Sequence, residues 1–293
     1  MAIGGLALVL TPAAIAQAQN RAFLETHSLV SRWELVDTAR NGTFLLTPYK
    51  PVYLLPAVWS SSPNGSPNAV SRPNDPVMAL DVVECKFQIS FKTKLLQGLY
   101  KKKGDVWVAY TQSSRWQVYN YGLSRSFRET NYEPEVMVVY PTNYRFLGFR
   151  GRLLSAGLNH QSNGGSDPLS RSWNRLIVQA AFERGRYTVL LRPWWRIPER
   201  PGTDDNRYIT TTLGNAEVVV IFQLRSHVIA LQARSAVVEA LFDSGSVQGD
   251  WSFTISGHLK ARLQVFHGYG ESLIDYNHKQ TTVGIGVSLL DWL

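Results

Sequence analysis

The sequence predicts an all-β fold, a twelve-stranded antiparallel transmembrane β-barrel. Three observations carry this expectation. Residues 84–95 alternate strictly, with Cys85, Phe87, Ile89, Phe91 and Leu95 on one face and Glu84, Lys86, Gln88, Ser90, Lys92 and Lys94 on the other. Side chains of a strand point to opposite faces in turn, so this segment has one apolar and one polar wall. No run of ~18 apolar residues occurs anywhere, which excludes a transmembrane helix but not a barrel, whose signal is alternation. Connections between strand candidates alternate in length, as at the two ends of an outer-membrane barrel.

Taken in order, the chain opens with Leu6-Ala-Leu-Val-Leu10 followed by the small-x-small patterns Ala14-Ile-Ala16 and Ala16-Gln-Ala18. This reads as an export signal over residues 1–18, although no Lys or Arg precedes Arg21. Residues 19–43 are expected as an N-terminal periplasmic segment and 44–293 as the barrel. Strands are expected near 44–59, 84–95, 105–120, 132–141, 144–162, 171–183, 186–196, 208–225, 227–235, 250–257, 260–269 and 283–289. Pro51, Pro56, Pro134 and Pro193 fall inside these segments and weaken them, because proline donates no ladder hydrogen bond. Short turns are expected at Lys101–Gly104, Thr142-Asn143 and Glu183–Gly185. Longer connections are expected at 60–76, 123–130, 163–170 and 197–207. In the last strand Val283, Ile285, Val287 and Leu289 alternate with Gly284, Gly286 and Ser288, and the pattern is expected to run on to Trp292-Leu293. Trp107/Tyr110, Trp116/Tyr119 and Trp194/Trp195 lie near strand ends, where an aromatic girdle would place them. Ordinary core packing is the alternative for any one of them.

The chain has 293 residues, 44% hydrophobic and 18% charged, enough for a large core. Its formal net charge is +8. Basic residues are scattered, with Lys101-Lys102-Lys103 the one tight run, so nucleic acid is not the expected partner. Phosphate-bearing lipid headgroups suit the excess better. One cysteine, Cys85, leaves no intrachain disulfide and no cysteine-rich metal site. There is no phosphate-binding or dinucleotide glycine motif and no zinc spacing.

The chemistry concentrates in residues 157–174. If 144–162 and 171–183 form an unbulged hairpin, His160 faces Asn174 and Ser162 faces Ser172, with Cβ atoms roughly 5 Å apart. His160, Ser162 and Asn174 then share an outer face with Leu154, Ala156, Leu158, Leu176, Val178 and Ala180. A serine hydroxyl needs a base to take its proton, and a histidine titrates near neutrality. An asparagine oxygen can accept from the imidazole and fix its tautomer without placing a charge beside hydrocarbon. The connection Asn163–Ser170, with Gly164, Gly165, Ser166, Asp167 and Ser170, offers carbonyl, hydroxyl and carboxylate oxygens of the kind calcium takes. A His and a Ser two apart also occur without catalysis, and such a loop also serves as a plain solvated turn.

Longer blocks settle the family likeness. Tyr110-Thr-Gln112, Ser126 through Glu135, Asn159 through Gly164, Ser166 through Arg175, Thr203 through Asn206 and Gly268 through Asn277 occur in order. With them the chain resembles the outer-membrane phospholipase A family. The resemblance implies a twelve-stranded outer-membrane barrel with its active site on the lipid-facing exterior. It implies Ser162 as nucleophile, His160 as general base and Asn174 as orienting residue. It implies calcium dependence and activation as a homodimer, with each catalytic calcium held between two subunits. Ser170 matches a calcium ligand, Ser124 a ligand given by the partner subunit, and Gly165 a carbonyl ligand at a position often arginine. Asp167 and Asp205 match residues of a second calcium position, and Gln112 matches a polar contact across the dimer seam. The implied reaction is hydrolysis of sn-1 and sn-2 acyl esters of phospholipids and lysophospholipids. A non-enzymatic outer-membrane pore or adhesin is the alternative. A soluble lipid-carrying barrel is another, and there the apolar faces would point inward.

Overall fold

The structure, a computed structural model, describes residues 28–67, 78–166, 168–200, 202, 204–235 and 244–293. The expected signal over 1–18 lies outside the described residues, as does Asp167. Among the described residues thirteen strand segments form one sheet: β1 (Leu46–Pro48), β2 (Val52–Ser60), β3 (Val83–Gly98), β4 (Gly104–Trp116), β5 (Glu129–Phe146), β6 (Phe149–Ser162), β7 (Ser172–Arg184), β8 (Tyr187–Ile197), β9 (Ala216–Leu224), β10 (His227–Ser235), β11 (Ser246–Ser256), β12 (Leu259–Tyr269) and β13 (Lys279–Leu290). β1 and β2 lie end to end along β3, with Leu46 opposite Thr93 and Tyr53 opposite Gln88, so they form one stave. Each stave pairs antiparallel with its sequence neighbour, and β13 returns to β2 through Thr282 opposite Ser60 to Leu290 opposite Val52. The result is the expected closed twelve-stranded barrel.

Closure is what the backbone needs in hydrocarbon, where an unpaired N–H or C=O has no water to turn to. Side chains then divide by parity. On β3 the lysines Lys92 and Lys94 are 0% and 1% exposed, while Ile89 and Phe91 are 46% and 37% exposed. The charged wall faces the lumen and the apolar wall faces outward, the reverse of a soluble barrel. This disposes of the soluble lipid carrier.

The lumen is packed with paired charges. Lys94 meets Glu34 at 2.8 Å and Asp105 at 3.2 Å, Arg262 meets Asp250 at 2.7 Å, and Lys50 meets Glu133 at 2.7 Å. At the short-turn rim, residues 28–43 and the chain end fill the mouth. Trp33 packs edge-on to Tyr49 and Trp107, and Leu29 and Leu293 join the same buried cluster. At the other rim the connection between β12 and β13 dips inward, burying Leu273, Ile274, Asp275 and Tyr276. A polar cavity of about 160 Å³ remains between the two plugs.

The structure departs from the expected elements at several points. β5 continues through Thr142-Asn143, which form a bulge rather than a turn; the register shifts between Pro141 and Tyr144. The reversal comes at Leu147-Gly148, both at positive φ (48° and 80°), as a tight hairpin between twisted strands requires. Residues 209–213 form a short helix instead of strand. Its Thr-rich sequence favours β structure, but burying Ile209 and Leu213 together against Trp173, Trp194 and Tyr276 overrides that preference. β13 ends at Leu290, and Asp291 turns inward to accept from Lys260 at 2.6 Å and Ser252 at 2.9 Å. Trp107 and Trp194 are core residues of the lumen, not girdle residues, whereas Trp195 and Tyr119 are exposed outside. Pro56 lies at a bulge against β3, and Pro193 at the last pair of β8 with β9, where a missing donor costs little.

Glu271, in the β12–β13 connection, ties that plug to the wall through Lys86 at 2.7 Å and through Arg115. Burial pushes its carboxyl up, but Arg115 and Lys86 outweigh this and hold it down at about 2. The stability it contributes is full above the ordinary carboxylate value of 4.5 and is lost as pH falls towards 2. Glu271→Gln should remove about 3–5 kcal/mol by stranding the buried Arg115 and Lys86. Denaturant unfolding in micelles from pH 6 to pH 2.5 should show a lower midpoint for the variant and a flatter pH dependence over the acid part of the range.

Candidate active site

β6 and β7 pair as the hairpin geometry predicts: His160 faces Asn174, Ser162 faces Ser172, Leu158 faces Leu176 and Ala156 faces Val178. Leu154, Leu158 and Leu176 on this face are 42%, 53% and 41% exposed, so the wall points outward. His160, Ser162 and Asn174 are half-buried within it. His160 Nδ1 lies 2.8 Å from Asn174 Oδ1. That contact occupies Nδ1 and leaves Nε2 as the nitrogen available to Ser162, two residues along the same face. Ser162 is the last residue of β6, at the long-connection rim.

The three side chains are held from behind. Asn159 and Gln161, which flank His160, point into the lumen. Arg175 donates to Asn159 Oδ1 at 2.6 Å and to Gln161 Oε1 at 3.3 Å, and Trp173 Nε1 donates to Gln161 Oε1 at 2.9 Å. Asn159 Nδ2 in turn donates to Glu133 at 3.0 Å and Glu135 at 2.9 Å on β5. The Arg175 guanidinium sits 4.1 Å over the Trp173 ring. The inward residues of β6 and β7 thus clamp the two strands together, and the outward residues between them inherit a fixed separation.

The connection after Ser162 is braced by Asn163. Its Oδ1 accepts from the amides of Arg171 at 2.9 Å and Gly165 at 3.2 Å, and its Nδ2 donates to Leu169 O at 2.8 Å and Glu129 Oε2 at 3.2 Å. Gly164 takes a positive φ of 62°, and a Cβ there would stand 3.0 Å from the Tyr132 ring. Tyr132, on β5, is the register partner of Ser162 on β6 and of Gln112 on β4. Gln112 lies in a polar ladder on the outer wall: Tyr110 OH donates to Gln112 Oε1 at 3.0 Å, Gln112 Nε2 to Ser114 Oγ at 3.2 Å, and Ser114 Oγ pairs with Thr130 Oγ1 at 3.0 Å.

Of the expected calcium residues, Gly165 and Ser170 belong to one loop, and a Cβ on Gly165 would meet Asn163 Oδ1 and Leu169 O, both at 3.3 Å. The Ser170 carbonyl accepts from Arg171 Nη1 at 2.7 Å, and the Ser124 carbonyl accepts from Trp116 Nε1 at 2.8 Å. No hydrogen bond joins Ser124 to the Gly165–Ser170 loop among the described residues. Asp205 is half-buried in the β8–β9 connection beside Asp204, which pairs with Arg196 at 2.6 Å. Among the described residues no group of three or more His, Cys, Asp or Glu assembles as a metal cage. Asn159, Gln161, Asn163, Trp173 and Arg175 were not singled out from sequence as site residues. Their inward parity within the same motif is the signal that finds them.

The fold and this outer face define a class: a membrane-spanning barrel that carries a hydrogen-bonded His–Asn pair and a serine on its outward wall. A sequence model of the Phospholipase A1 family matches residues 29–289. Phospholipase A1 of Klebsiella pneumoniae is 38% identical over 251 residues, 86% of this chain and 84% of the relative. That of Escherichia coli K12 is 40% identical over 208 residues, 71% and 70% of the two chains. The solved outer membrane phospholipase A from Escherichia coli superposes with a TM-score of 0.76 at 37% identity, covering 85% of this chain and 95% of that one. The Salmonella typhi outer membrane phospholipase, a dimer with bound calcium, superposes with 0.78 at 36% identity, covering 91% and 98%. The chain belongs to the phospholipase A1 family: it is a phospholipase of the bacterial outer membrane.

Asn163→Ala would remove one of the three donors that Glu129 has among the described residues and strand two loop amides, at about 1–3 kcal/mol for each buried group left unmet. The barrel should survive, seen as heat-modifiable gel migration. Fatty-acid release should fall on the order of tenfold or more, because an error of about 1.4 kcal/mol in placing the loop is tenfold in rate.

Proposed function

We propose that the protein is a calcium-dependent phospholipase that cleaves sn-1 and sn-2 acyl esters of phospholipids and lysophospholipids and acts as a homodimer. The contact of His160 Nδ1 with Asn174 Oδ1 at 2.8 Å, on the outward face with Ser162 two residues ahead, carries this reading. Ser162 Oγ attacks the ester carbonyl carbon while His160 Nε2 takes its proton. Asn174 holds the imidazole with its lone pair toward Ser162 and accepts from the Nδ1 proton as the ring becomes positive. The tetrahedral intermediate expels the alcohol of the lysophospholipid, which leaves with the proton held by His160. Water then attacks the acyl-serine, His160 takes a water proton and returns one to Ser162, and the fatty acid departs.

The developing oxyanion needs donors. Of the three amides after Ser162, that of Asn163 donates to Arg171 O at 3.0 Å and that of Gly165 to Asn163 Oδ1. The Gly164 N–H is therefore the amide we assign to the oxyanion. The oxygens of the loop suit a hard cation. The Gly165 carbonyl and the Ser170 hydroxyl would hold calcium, completed by Ser124 of the partner subunit, and the ion would add positive charge beside the oxyanion. Asp205, with Asp167, is assigned to a second calcium position. Residues 1–18 are assigned to an export signal.

The homodimer draws support from the ladder of Tyr110, Gln112, Ser114 and Thr130. Tyr110 and Gln112 are partly exposed on the outward wall, where polar groups are costly and mark functional surfaces, and Gln112 lies two strands from Ser162. An amide pair of Gln112 residues across the seam would contribute about 1 kcal/mol. The pore alternative has less behind it, because both lumen mouths are filled.

Ser162→Ala should fold as the wild type does and lose hydrolysis by at least ~10³-fold. Calcium chelation should abolish fatty-acid release from mixed micelles by the wild type; undiminished turnover under chelation would sink the calcium dependence. Crosslinking with calcium and a substrate analogue should trap a dimer, and Gln112→Ala should weaken it. Full turnover by a species that stays monomeric would contradict the shared site.

A further inference from the structure

Behind Asn174 stands a carboxylate that belongs to no part of the expected triad. Asn174 Nδ2 lies 3.5 Å from Glu199 Oε1, on the side of the amide away from His160. Glu199 follows β8 by two residues, and Ile197, the last residue of β8, is the register partner of Asn174. The strand pairing itself carries Glu199 to the edge of Asn174. The separation is at the long end of a hydrogen bond, as catalytic contacts often are before substrate binds.

An asparagine amide can present either end to a histidine, since oxygen and NH₂ are nearly the same size. Only one orientation is productive. With Oδ1 toward His160, Nδ1 carries the proton and Nε2 keeps the lone pair that takes the proton of Ser162. With NH₂ toward His160, Nδ1 becomes an acceptor, Nε2 carries the proton, and Ser162 faces a donor. An aspartate in this place has no wrong end. A carboxylate is an acceptor only, so one at Nδ2 attracts the NH₂ and repels the oxygen.

We propose that Glu199 is a positioning residue that fixes the Asn174 amide with its oxygen toward His160. It thereby lets a neutral asparagine stand where an aspartate would need no such help. The proposal rests on the Ser162–His160–Asn174 reading. The groups that act most strongly on the Glu199 carboxyl are Arg196, Asp204, Asp205 and His160. Burial, with the two aspartates, lifts its carboxyl above the usual range, and Arg196 and His160 oppose this.

The test is a cycle of variants assayed in calcium-containing mixed micelles on one acyl ester, with heat-modifiable migration to verify folding. Glu199→Lys, which puts a donor where the acceptor was, should lower kcat on the order of tenfold with KM little changed. Glu199→Ala should lower it less, and Glu199→Gln least, because its amide oxygen can still accept. In the Asn174→Asp background the sign should change: Glu199→Ala should leave kcat unaltered or raise it, since two neighbouring carboxylates repel. A structural role alone would cost the same factor in both backgrounds. If Glu199→Lys fails to fold, the comparison of Glu199→Ala in the two backgrounds decides. Wild-type kcat in both Glu199→Lys and Glu199→Ala, or an equal loss from Glu199→Ala in the two backgrounds, overturns the proposal. An inactive wild type, or an active Ser162→Ala, overturns the triad reading and this proposal with it. Unresponsive Glu199 variants of an active, Ser162-dependent enzyme overturn the proposal alone.

Discussion

Backbone pairing without water is the constraint on which the rest of the molecule depends. In hydrocarbon a sheet must close, and the ladder from Thr282–Ser60 to Leu290–Val52 is the seam that closes this one. Closure forces parity: alternate side chains go to lipid and to lumen. Polar residues collected inside must satisfy one another there, which is why Lys86, Lys94, Arg192 and Arg262 all have acidic partners. Ser162, His160 and Asn174 fall on the other parity, in the wall that offers them few partners. They are therefore oriented by their sequence neighbours. Asn159, Gln161, Trp173 and Arg175 make on the inside the contacts that fix β6 against β7.

The outward wall was the most legible part of the sequence. Strict alternation over 84–95 located β3 within three residues at each end, and the His160–Asn174 register followed from hairpin arithmetic. These succeed because parity and antiparallel pairing are local rules. The misplaced turn shows where they stop. Pro141-Thr-Asn143 has turn composition, yet a bulge accommodates it and the chain reverses at Leu147-Gly148. The helix at 209–213 was invisible for a different reason, since its burial depends on Leu273 and Tyr276, sixty residues or more on. The girdle expectation failed at Trp107 and Trp194 because aromatic residues serve the plugs as well as the interface, and only parity separates the two uses.

The candidate site divides the same way. Ser162, His160 and Asn174 came from the motif. The calcium-ligand assignments came from the family likeness; the sequence pattern alone pointed only to the oxygens of the Asn163–Ser170 loop, because Ser124 and Asp205 lie in other connections. Glu199 was beyond reach altogether. It lies 25 residues from Asn174, in a connection with no periodicity, and only the β7–β8 pairing brings it close.

That placement has its own logic. A carboxylate held directly against His160 would sit in the apolar wall, where charge is expensive. Moved to the β8–β9 connection it is half-buried at the rim, within reach of Arg196 and of the aqueous side. The amide of Asn174 spans the gap. Its NH₂ meets the charge and its oxygen meets the imidazole, so the dipole points the same way as the ion it replaces. A neutral group in the wall and a charge at the rim together supply the orientation that a single buried aspartate gives in water-soluble hydrolases, without holding an ion in lipid.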